Sequence, residues 1–176
     1  DEGIDYPRLL WEDKPGEIIK PISLSDFLIG TGTKDNPYLI GTRDELNLVS
    51  SVSCDWDKHF KLISDIDLSD FDGNDGKPSF NMIAPNVNQS EGWFQTIPFA
   101  GVFDGSGHVI SHLVIEGDDY VGLFGVLGDG AEVKNLAVTD VNVTGSGLRV
   151  GALAGSSKGS ITNCYSSSTV SAYVYV

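Results

Sequence analysis

Positive charge is scarce in this chain: 11 Lys and Arg stand against 25 Asp and Glu, a formal net charge of −14 over 176 residues. So acidic a surface repels phosphate backbones, which sets nucleic acid aside as a partner and favours divalent cations, basic proteins or amines. Its plainest consequence is solubility. Long apolar runs are also missing. None approaches the roughly 20 residues of a membrane helix, so no insertion into a bilayer is expected. Only two cysteines occur, Cys54 and Cys164, and no CxxC pair or His-Cys cluster suggests zinc. Their segments are unrelated, so a disulfide between them is not expected, and Cys164 reads as a buried thiol. The chain starts at Asp1 without an initiator Met or a signal peptide, and the expectation is a processed or excised section.

What is plentiful is glycine, 21 residues against 7 Pro, in a background of Val, Ile, Ser and Asn. That mixture suits short strands joined by tight turns. The same phrases also return along the chain. Val121-Gly122-Leu123-Phe124-Gly125 leads to Val133-Lys134-Asn135-Leu136, and Val150-Gly151-Ala152-Leu153-Ala154-Gly155 leads to Ile161-Thr162-Asn163-Cys164. A tighter six-residue pattern starts at Ile63, Ile110, Val133 and Ile161. Self-similarity at such spacings is the mark of a solenoid.

Within that pattern the apolar positions change parity. Val133, Leu136 and Val138 cannot all face inward from one flat strand, because side chains alternate. A bend at the polar residue restores consistency, and Asp, Asn and His tolerate the left-handed conformation it needs. Asp65, His112, Asn135 and Asn163 are therefore expected to be stacked corner residues. Their separations are 47, 23 and 28 residues, the first long enough for two coils with a disguised one near Met82-Ile83. Glycines 122, 125, 151 and 155 would turn the backbone or pack against the next coil.

Residues 1–30 are irregular and rich in Pro, and Gly30 to Pro37 forms a turn-rich entry to a short strand at Tyr38-Leu39-Ile40. Thr42-Arg43-Asp44-Glu45 reads as a capping box that opens a helix near 42–52, a device for closing a solenoid's end. The fold class is then all-β: a right-handed parallel β-helix of the pectin-lyase-like solenoid kind, with a short N-terminal helix and loop cap. Its module would span 31–176.

The segments Val150 to Gly155 and Gly159 to Ser166, with Phe103 to Ile110 and Tyr120 to Gly125 before them, resemble the GLUG-motif repeat proteins of bacteria and archaea. Gly32 to Ile40 with His59 to Leu62 resembles that group's module opening, and GLUG-like coils would occupy about 101–176. Leu153-Ala154-Gly155 departs from the usual Leu-Val-Gly by a small swap. The resemblance implies a section of a longer tandem array in a secreted, adhesin-like cell-surface protein, with no catalytic role for the motif. Its partners would be extracellular glycans or surface proteins, or other copies joined through the solenoid ends.

Candidate chemistry is thin. Asp70, Asp72, Asn74 and Asp75 alternate as calcium ligands do, although the glycine falls late at Gly76 and the twelfth position is Asn81. A turn-rich surface loop explains the same letters. A polysaccharide lyase or hydrolase would draw on Asp104, His108, His112, Asp118 and Asp119, yet no basic cluster is visible for a polyanionic sugar. Gly122-x-x-Gly125 and Gly105-x-Gly107 open no helix and lack the following Lys of a phosphate loop. Trp93, Phe94, Phe99 and Phe103 are either core or a platform for sugar rings. The expectation is a non-catalytic structural or adhesive element. The alternatives are a carbohydrate-binding module and a β-helix enzyme.

Overall fold

In the computed structural model, which describes residues 22–86 and 97–173, each short strand takes a partner one repeat away, always in parallel. The elements in order are β1 (Tyr38–Ile40), α1 (Arg43–Ser51), β2 (His59–Leu62), β3 (Ile66–Asp67), β4 (Val102–Asp104), β5 (Val109–Ser111) and β6 (Val114–Gly117). They continue as β7 (Phe124–Leu127), β8 (Glu132–Lys134), β9 (Ala137–Gly145), β10 (Ala154–Ser157), β11 (Ser160–Thr162) and β12 (Tyr165–Ala172). One sheet runs β1-β2-β4-β8-β11, a second β12-β9-β5-β3 with β6 also on β9, and a third joins β7 to β10. Among the described residues the fold is all-β with one α-helix.

Register explains the core. Tyr38, Phe60, Phe103 and Val133 are successive partners across the first sheet, and each is buried. Ile66, Ile110 and Val138 do the same in the second sheet. Full burial of such a side chain stabilises by about 1.5–3 kcal/mol. Phe99 and Phe124 join the first sheet's aromatic column to the third sheet, with ring centroids 5.7 Å apart for Phe60–Phe99 and 5.4 Å for Phe103–Phe124. Phe99 and Phe103 are thus core residues, while Trp93 and Phe94 lie outside the described residues.

The corners need two corrections. Asn135 and Asn163 both have left-handed backbones, with φ of 52° and 53°, between the first and second sheets. His112 is left-handed too, at 56°, but its corner is the next one along, between β5 and β6. There it follows Ser111, whose partner Thr139 precedes the left-handed Asp140. The six-residue phrase spans two different corners, so His112 and Asn135 stand 23 residues apart while His112 and its true counterpart Asp140 stand 28 apart. Asp65 is not left-handed; its carboxylate instead accepts from the Val109 N–H at 3.0 Å. The second correction concerns the long interval. His59 pairs directly with Val102, 43 residues later, so one repeat with a large excursion replaces the two coils expected. Ile83 and Phe99 within it bridge to Phe124 and Leu127 of β7.

The glycines at 122, 125, 151 and 155 serve close approach rather than sharp turning, since none has a positive φ. A Cβ at Gly122 would lie 2.7 Å from the carbonyl oxygen of Gly151 in the neighbouring repeat. Cys54 and Cys164 are free thiols, and Cys164 is only half-buried, in the outermost repeat.

The two ends differ. At the first, Thr42 accepts from the Glu45 N–H at 3.2 Å while Glu45 accepts from Thr42 N at 3.0 Å, the reciprocal box that starts α1. The helix buries Leu46 and Val49, and the Trp56 indole donates to Val49 O at 2.7 Å. Beside it Leu24 is buried, its N–H held by Asp55 at 2.6 Å. At the other end no described strand pairs with the outer edges of β10, β11 and β12. Ile161 is 44% exposed where its partner Val133 is fully covered. No helix among the described residues is long and apolar enough to cross a membrane.

Candidate functional site

Alternation along each strand of the first sheet that sends Phe60, Phe103 and Val133 inward sends their neighbours outward. His59 and Lys61, Val102 and Asp104, Glu132 and Lys134 therefore share one outer face, in rows His59–Val102–Glu132 and Lys61–Asp104–Lys134. The turn before β1 is tied alongside by the His59 N–H donating to Gly32 O at 2.9 Å, which brings Lys34 and Asp35 to the same place. The result is a groove of about 550 Å³, lined by these side chains together with Pro37 and Val102.

Its charges are unequally engaged. Lys134 pairs with Glu132 at 3.1 Å. Asp104 Oδ1 accepts from the Ser106 N–H at 2.8 Å and from the Asn135 amide at 3.1 Å. Partial burial pushes the Asp104 carboxyl upward, but the Asn135 and Ser106 donors, with Lys134 and Lys61 nearby, hold it below the usual carboxylate range. Lys34, His59 and Lys61 form no side-chain hydrogen bond or ion pair among the described residues. The groove can thus offer ammonium donors, a carboxylate acceptor and an apolar floor.

Sequence reading found Asp104 but missed Lys34, His59, Lys61, Glu132 and Lys134, which lie up to 100 residues apart. Strand register unites all but Lys34, which the turn tied to His59 brings in. The signal that could have found them is the outward position shared by His59-x-Lys61, Val102-x-Asp104 and Glu132-x-Lys134 once the strands are aligned.

The remaining candidates go to separate places. His108 pairs with Asp65 at 3.1 Å and His112 with Asp67 at 2.9 Å. Asp118 accepts from Ser146 at 3.0 Å. Asp119 holds the Arg149 guanidinium at 2.7 Å, and that group also lies 4.3 Å over the Tyr120 ring.

In the acidic loop Asp70 pairs with Arg43, and Asp72 Oδ2 with Lys77 at 3.2 Å. Asp72 Oδ1 accepts from the Asn74 N–H at 2.9 Å, the Asn74 amide donates to Asp72 O at 3.2 Å, and Asp75 sits in a left-handed turn with φ of 51°. The Asn74 N–H first and Lys77 second lower the Asp72 carboxyl from its ordinary value. Among the described residues no group of three or more His, Cys, Asp or Glu side chains is gathered to hold a metal ion.

No protein-family model matches the chain. It is 38% identical over 143 residues to a protein of Evansella cellulosilytica provisionally named as a Gly-rich membrane protein, a match covering 79% of this chain and 15% of that one. It is 34% identical over 151 residues to halomucin of Haloquadratum walsbyi, covering 84% of this chain and 2% of halomucin. The chain thus spans a small fraction of the curated relatives it matches. Among solved structures, a Bacteroides ovatus protein provisionally named as an immunoglobulin A1 protease superposes with a TM-score of 0.60 at 22% identity. That match covers 79% of this chain and 40% of the other, and at such identity it bears on the fold alone.

Proposed function

We propose that this chain is a right-handed parallel β-helix unit of the GLUG type, serving as a non-catalytic structural or adhesive element of an exported cell-surface repeat protein. The observation that carries the reading is the register of the first sheet, in which strands return at 30 and then 28 residues with their inward positions matched. Stacking of this kind gives a stiff body whose length grows with repeat number. The names of the two relatives, one a membrane protein and the other halomucin, support placement at the cell surface. Labelling intact and lysed cells of a producing organism with antibody to this chain tests it. Surface labelling of intact cells is expected, and labelling only after lysis would overturn the reading.

A carbohydrate-binding module is the second reading, favoured by the groove on the first sheet. A hydrolase reading is less well supported: it needs a carboxyl kept protonated, and the environment of Asp104 works the other way. Calcium binding at Asp70, Asp72, Asn74 and Asp75 stays within the proposal in a restricted form, because an ion there would have to displace Arg43 and Lys77.

A further inference from the structure

The groove's unengaged groups narrow the chemistry of what it would hold. In a chain with 25 carboxylates, the ammonium groups of Lys34 and Lys61 and the imidazole of His59 line one groove with no ion pair in contact among the described residues, Lys61 acting on Asp104 only at longer range. The two ammonium groups call for an anionic group, to which the imidazole can add an N–H donor. Asp104 uses Oδ1 for Ser106 and Asn135, which leaves Oδ2 to accept a hydroxyl. Val102 and Pro37 give an apolar patch suited to the C–H face of a sugar ring.

One carboxylate, adjacent hydroxyls and an apolar face describe a sugar acid. An acidic peptide would bring several carboxylates against Asp35, Asp104 and Glu132 in the same groove. A polyuronate would extend beyond the lysines over a surface of net charge −14. Screening over about 8 Å at physiological salt lets the local lysines decide within the groove and not outside it.

We propose that the groove binds a single uronic acid residue of an otherwise neutral glycan, with Lys34, His59 and Lys61 around its carboxylate and Asp104 accepting one of its hydroxyls. This rests on the carbohydrate-binding reading and is independent of the structural one.

The test is a backbone amide NMR titration of the full chain with methyl β-D-glucuronide and, in parallel, methyl β-D-glucoside, which differs only in carrying a neutral hydroxymethyl group where the other has its carboxylate. At low salt the glucuronide is expected to bind about fivefold tighter, the order allowed by a surface charge pair. Its shifts should centre on Lys34, His59, Lys61 and Asp104, and K61Q should lower the preference while the rest of the spectrum stays unchanged. Equal binding of both sugars in the groove would overturn the sugar-acid assignment and leave the carbohydrate reading standing. Absence of binding, or shifts elsewhere, would overturn both.

Discussion

Asn163 donates its side-chain amide to Asn135 Oδ1 across 2.8 Å, from 28 residues further along the chain. Asn135 in turn donates to Asp104 at 3.1 Å, so the corner between the first two sheets carries a polar ladder beside the apolar column inside. Each Asn thus supplies both a left-handed backbone and a contact with the preceding repeat.

Asn135→Ala removes both side-chain bonds and leaves a Cβ in the left-handed conformation. The expected cost in urea unfolding is about 2–3 kcal/mol. Asn135→Gly loses the same bonds but relieves the backbone, and should cost about 1 kcal/mol less. Equal losses would mean that the backbone conformation contributes nothing here.

Val133 and Ile161 hold the same inward position in consecutive repeats, yet one is covered and the other is 44% exposed. Val133→Ala is expected to cost about 2 kcal/mol or more and Ile161→Ala about 1 or less, compared by thermal unfolding. A reversal would place the end of the core beyond β11.

Open strand edges also favour association. Sedimentation at rising concentration should show self-association that Ile161→Lys and Val170→Lys suppress, since both residues lie on the exposed outer repeat. A chain that stays monomeric at high concentration would set aside the expected joining of copies through the solenoid ends.

Five aspartates set the acid limit. The Val109 N–H and His108 lower Asp65, the Ser69 N–H lowers Asp67, and the Asn74 N–H and Lys77 lower Asp72. Asp104 and Asp119 are pushed up by burial but more strongly down by their donors, Asn135 and the Arg149 N–H foremost. All five stand below the ordinary 3.8 in the folded chain, so the unfolded chain takes up protons first as pH falls. Their contribution is complete above that value and is lost as pH falls through the lower folded values. Urea midpoints should change little from this source above about pH 5 and fall below about pH 4, by a modest amount because solvent screens these exposed groups. A midpoint that is flat into strong acid would contradict these hydrogen bonds.

Calcium would compete with Lys77 for Asp72 and with Arg43 for Asp70. Millimolar calcium is expected to move the melting temperature of the parent chain by less than about 1 °C, and to raise it more in Lys77→Ala, where Asp72 is released. A large shift in the parent chain would show that the loop takes the ion despite both cations.

Much of this architecture was legible from letters alone. The capping box at Thr42 and Glu45, the Asn135 and Asn163 corners and the 28-residue return between them all follow from local chemistry repeated in order. What escaped was register across an irregular repeat. Nothing in the sequence between Asp65 and His112 shows that His59 pairs with Val102, because an excursion changes length without changing the strands it separates. The groove was hidden for the same reason: Lys61 and Lys134 become neighbours only through two strand registers, and Lys34 joins them only through the turn tied to His59. The His112 misalignment came from a pattern that serves two different corners equally well.

In the first sheet each new strand joins one already made: β2 on β1, β4 on β2, β8 on β4 and β11 on β8. A ribosome releasing this chain would present, at every stage, a finished template for the segment about to emerge, beginning with the lidded end. Folding can keep pace with translation without long searches, unlike sheets whose first strand must wait for the last.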